Sequence, residues 1–68
     1  MEMLPKYPDV AVQLSGEDGN AGFMIARTGR ALKKAGVPRE VIQEFRVEAM
    51  SGDYDHVLQT IMRWVETS

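Results

Sequence analysis

The chain carries one histidine, His56, inside the run Asp53-Tyr54-Asp55-His56. Two carboxylates and an imidazole this close suggest a metal site or an acid/base pair. Helix geometry argues against both. Asp53 stands where a helix begins, and Asp55 and His56 are adjacent residues whose side chains diverge by about 100°. One histidine with two carboxylates at such spacing is not a facial triad without further ligands. Nucleophilic catalysis needs a hydroxyl or thiol beside an oriented base. Ser15, Thr28, Ser51 and Thr60 have no marked base in the sequence. Paired carboxylates need a cleft, and 68 residues leave little room to bury a substrate. The expectation is no catalysis, no cofactor and no metal, with Asp53 as a helix cap and His56 on the surface.

The residues best placed for function are cations. Arg27, Arg30, Lys33 and Lys34, extended by Arg39, form a candidate face for an anionic partner. Four cations on one helix face can neutralise several phosphates, and such binding weakens with salt. A nucleic-acid partner is the secondary reading. Phe23 is the one aromatic near the set, and the most basic helix comes first, unlike the second, base-reading helix of a helix-turn-helix. A protein partner, a second copy of the chain included, is the primary one. Phe23, Val47 and Met50 fall on the wet sides of their helices, and an unpaired strand edge is a natural docking place.

These side chains must be positioned by three helices and a strand. Residues 16–36 run from a Gly-rich turn into the first helix. Asn20 is its expected cap and Gly36, followed by Pro38, its stop. Met24, Ile25, Thr28, Gly29, Ala31, Leu32 and Ala35 share one side, opposite the cations. The turn at 16–20 resembles a phosphate-binding loop only superficially. Glu17 and Asp18 would repel an anion, and the Lys-Ser/Thr of such loops is missing. A second helix over 37–52 starts with Pro38 in its first position, has Val41, Ile42, Phe45 and Ala49 on one apolar face, and ends at Gly52. A third over 53–66 is capped by Asp53. Its apolar face is Tyr54, Val57, Leu58, Ile61, Trp64 and Val65, with Met62 at the edge and Asp55, His56, Gln59, Thr60 and Arg63 opposite.

Residues 1–9, with Pro5 and Pro8, form an extended lead-in, with Tyr7 as an apolar lid. Residues 10–68 form one domain. Val10, Val12 and Leu14 alternate as in a half-buried strand over 10–15. A lone strand cannot satisfy its own amides. Three partners are open: the C-terminal Val65-Glu66-Thr67, a second copy, or water. The first is favoured, because Val65 and Thr67 suit a strand. The expected fold is mostly α (α+β), one N-terminal strand followed by a three-helix bundle. Its core is Val10, Val12, Leu14, Ile25, Leu32, Val41, Ile42, Phe45, Val57, Leu58, Ile61 and Trp64.

Composition sets the remaining bounds. There are no cysteines, which excludes disulfides and thiolate metal sites and fits the cytoplasm. No apolar run is long enough for a membrane span and no signal-peptide core follows Met1, so no membrane partner is expected. A net charge of −2 argues against a general nucleic-acid coat.

Two likenesses follow from these residues. Tyr7-Pro8-Asp9-Val10, Leu14 to Ala21, Arg30-Ala31-Leu32, Ala35-Gly36-Val37-Pro38 and Ser51 to His56 resemble a family of short bacterial and phage- or plasmid-borne hypothetical proteins. That resemblance implies no activity. Residues 23–65, with Gly36-Val37-Pro38 after the first helix and Gly52-Asp53 before the third, are similar in architecture to ubiquitin-associated domains. Those bind ubiquitin through an apolar loop after their first helix. Here Ala35-Gly36-Val37 lacks the usual aromatic.

Overall fold

A computed structural model describes residues 4–14 and 21–67. The elements run β1 (Tyr7–Val12), α1 (Ala21–Lys34), α2 (Arg39–Ala49), α3 (Tyr54–Trp64) and β2 (Val65–Thr67). The expected turn at 16–20 and the Asn20 cap lie outside the described residues, as do Met1 to Met3.

The two strands pair in parallel, with Tyr7 opposite Val65, Ala11 opposite Glu66 and Val12 opposite Thr67. Parallel neighbours need a long crossover, and the three helices supply it. Of the three partners open to the strand, the C-terminal residues are the one used. Val65 is at once the cap of α3 (φ −137°, ψ 165°) and the first residue of β2, so helix passes into strand without a loop. The backbone N–H of Lys6 donates to the carbonyl of Arg63 at 2.8 Å, satisfying one of the acceptors left open at the end of α3.

The strand covers 7–12 rather than 10–15. The alternation of Val10, Val12 and Leu14 marked which residues face inward, but not where pairing starts. The register shifts between Tyr7 and Ala11, where Pro8 has no N–H for the ladder. Tyr7 anchors the early start, and the expected lid is present: its ring stacks on Trp64 with centroids 6.0 Å apart. Lys6 Nζ lies 4.3 Å from the centroid of the same indole.

α1 ends as its glycine predicts. Gly36 has φ +91°. Its N–H donates to the carbonyl of Lys33, and that of Val37 donates to the carbonyl of Leu32, both at 3.0 Å. This pair of bonds is the Schellman closure. Pro38 is not the first residue of α2 but its cap (φ −59°, ψ 149°), and its carbonyl accepts from Val41 and Ile42. α2 ends at Ala49 rather than running to Gly52. The Ser51 hydroxyl and N–H both turn back to the carbonyl of Glu48, at 2.7 and 3.2 Å. Asp53 caps α3 as expected, its Oδ1 accepting from the N–H of His56 at 3.0 Å.

The core lies where α1, α2, α3 and the inner face of the sheet meet. Phe45 is fully buried and meets Trp64 edge to face at 5.4 Å. Leu14, Val41 and Leu58 sit half-buried at the rim rather than inside. Met24, Ala49, Val65, Thr28 and Thr60 are buried in addition to the expected set. Thr60 corrects its placement on the wet face of α3. The buried hydroxyl of Thr28 donates to the Met24 carbonyl one turn back, at 2.9 Å. Among the described residues no helix is long and apolar enough to cross a membrane.

Candidate anionic-partner groove

α1 and α2 are joined by a short turn and pack side by side. Their outward edges bound a groove with a volume of about 650 Å³. α1 contributes Arg30 and Lys33 to its rim, and α2 contributes Arg39, Gln43 and Arg46. Gly29, Val37 and Ile42 complete the lining. No carboxylate is among these residues. Among the described residues none of Arg30, Lys33, Arg39 and Arg46 forms an ion pair, whereas Arg63 pairs with Glu48 at 3.3 Å on another face.

The groove sorts the five predicted cations. Arg30, Lys33 and Arg39 come together. Arg27 leaves the set: its Nη1 donates to the carbonyl of Gln13 at 2.9 Å, and its guanidinium lies 5.2 Å from the centroid of Phe23. It ties α1 to the residue after β1. Lys34 is exposed but lines no part of the groove. Arg46 joins instead. The sequence holds a signal for it: Arg39 and Arg46 are seven residues apart, which puts them on one line of α2.

Gly29 explains how Arg46 fits. A glycine inside a helix costs about 1 kcal/mol relative to alanine, yet this one is buried in the middle of α1. A Cβ added there would lie 3.2 Å from Nη2 and 3.4 Å from Nε of Arg46. The guanidinium therefore rests against bare backbone, and the missing methyl is the space it uses. α1's C-terminal turn, with its outward carbonyls, favours the positive charges of Lys33 and Lys34 there.

The other chemical candidate, around His56, resolves into a structural joint. Its Nε2 is 2.8 Å from the carbonyl of Glu48. A carbonyl oxygen only accepts, so Nε2 carries the ring proton in this contact. The fold also brings Ser51 Oγ to 3.1 Å from Nε2, a Ser–His approach that the sequence did not announce. The geometry does not make a nucleophile. Ser51 gives its proton to the same Glu48 carbonyl, and a protonated Nε2 cannot take it. Asp55 accepts from Gln59 at 2.9 Å and does not orient the ring. His56 is half-buried rather than on the surface, and it links the end of α2 to the first turn of α3. Among the described residues no group of three or more potential ligands is placed to hold a metal ion.

Phe23, Val47 and Met50 are exposed, as their positions on the helices predict. In comparisons with known proteins, no family model, no curated protein and no solved structure matches this chain.

Proposed function

We propose that the chain is a small, non-catalytic cytoplasmic interaction module whose α1–α2 groove takes an acidic surface of a protein partner. The observation that carries this reading is the convergence of Arg30, Lys33, Arg39 and Arg46 on one groove with no acid in its lining. Like charges gathered without counter-charges are kept at a small cost in stability, which an anionic partner would relieve. Three of the four are arginines, whose planar forks suit carboxylates. Half-buried Val37 adds apolar surface for a partner's side chain, over a floor formed by the buried Ile42.

The second reading is weak nucleic-acid binding through the same cations. What favours it is their number on one face. What counts against it is that no aromatic ring lines the groove as a platform for bases. The overall charge of −2 also gives no long-range attraction to a polyanion.

Amide chemical-shift mapping tests the reading, with poly-L-glutamate and a short DNA duplex as probes. The expected result is shifts clustered at Gly29, Arg30, Lys33, Gln43 and Arg46 with polyglutamate, fading as salt rises. Shifts confined to other faces, or none, would overturn it. A stronger response to DNA at the same residues would favour the second reading.

A further inference from the structure

We infer that the groove's occupant is an acidic amphipathic helix carrying two carboxylates two turns apart around an apolar side chain. This rests on the groove being a docking site for an acidic protein partner, and it specifies that partner's form.

The spacing of the cations is the first argument. A Cβ placed on Gly29 would lie 3.2 Å from Arg46 Nη2, and Arg30 and Lys33 of α1 share the groove with Arg39 and Arg46 of α2. Arg39 and Arg46 are seven residues apart on one helix, which is about 10 Å along its axis. On α2 the charge of the groove thus stands at two ends, Arg39 and Arg46, with the uncharged Gln43 between them.

The surface between those ends is the second argument. Gln43 lies between Arg39 and Arg46 on α2, and Val37 and Ile42 line the groove beside them. A phosphate backbone presents charge at every step and has nothing apolar to set against Val37 and Ile42. A helix with acids seven positions apart matches both cationic ends. Residues three or four positions along point the same way, so one apolar side chain reaches the middle. A helix laid in a groove with anchors at this spacing is an established mode of peptide recognition.

The test uses the whole chain and designed peptides of about 15 residues, long enough to be partly helical. The probe peptide has glutamates seven positions apart with leucine between them. A reordered peptide keeps the composition but puts the glutamates on opposite faces. A third replaces leucine with alanine. Affinities are measured by fluorescence anisotropy at about 50 mM and about 200 mM salt. The probe is expected to bind about tenfold tighter than the reordered peptide and several-fold tighter than the alanine peptide. Arg39→Gln and Arg46→Gln should each remove most of that preference. Both residues are exposed, and circular dichroism checks that the variants stay folded.

Equal binding of all three peptides, lost in the arginine variants, would overturn the amphipathic helix while leaving the anionic groove standing. Binding untouched by either arginine change would overturn both. A duplex that binds more tightly than the probe, or a chain that self-associates through these arginines and excludes the probe, would also overturn the inference.

Discussion

Replacing Gly29 with alanine should separate stability from binding. The residue is buried in the middle of α1. Alanine there gains about 1 kcal/mol in helix propensity, part of it through a less flexible unfolded chain. Against this stands the new methyl, 3.2 Å from Nη2 of Arg46 and 3.4 Å from its Nε. Carbon contacts are most favourable near 3.5–4.0 Å, so the guanidinium must retreat by a few tenths of an ångström. It is the far end of a flexible, exposed side chain, and that retreat costs a fraction of the propensity gain. The net expectation is a gain of about 0.5–1 kcal/mol. In a domain of this size that raises Tm by about 2–8 °C. Arg46 loses its seat on bare backbone, and affinity for the acidic probe peptide should fall several-fold. Thermal melts followed at the helix band, run beside peptide titrations, read both quantities on one sample. A lower Tm would show that the packing around Gly29 is rigid rather than yielding. A higher Tm with unchanged affinity would refute the link between Gly29 and the posture of Arg46.

Four other substitutions test the fold. Gly36→Ala meets no atom within 4 Å, so any loss comes from its positive φ alone. It should cost about 1–2 kcal/mol in urea melts. Gly52→Ala puts a Cβ 2.7 Å from Cγ of His56. It should break the Nε2 contact with Glu48 and cost more than the ordinary surface change of about 0.5 kcal/mol, visible as a shifted imidazole signal by NMR. Asp53→Ala removes the cap on α3 and should lower stability by about 1 kcal/mol without changing the urea m-value. Phe45→Ala empties a fully buried site against Trp64. The loss of about 3–5 kcal/mol should leave a domain this small largely unfolded at room temperature, seen as the collapse of its near-UV circular dichroism.

What could be read from the sequence is the part governed by local chemistry. Helix stops and caps act over four or five residues. Gly36 before Pro38, and Asp53 before an amphipathic run, therefore announced their roles without any tertiary contact. The inward stripe of α1 was legible for the same reason, since periodicity alone brings Met24, Ile25 and Leu32 to one side. The pairing of the first strand with Val65 to Thr67 was one of three partners the sequence left open, favoured because Val65 and Thr67 suit a strand, and the structure decided among them.

Tertiary structure decided whatever depends on how one helix is turned against another. Thr60 looked wet on a helical wheel, but the packing of α3 buries it and supplies its hydroxyl with neighbours in His56 and Arg63. The exact start of β1 was set by stacking of Tyr7 on Trp64, across nearly the whole chain. The cationic face was redrawn in the same way. A wheel groups cations by angle around one axis, and so it joined Arg27 and Lys34 to Arg30 and Lys33. A groove groups them by which edge meets the neighbouring helix. That edge keeps Arg30, Lys33 and the expected Arg39, hands Arg27 to the carbonyl of Gln13, and adds Arg46 from α2.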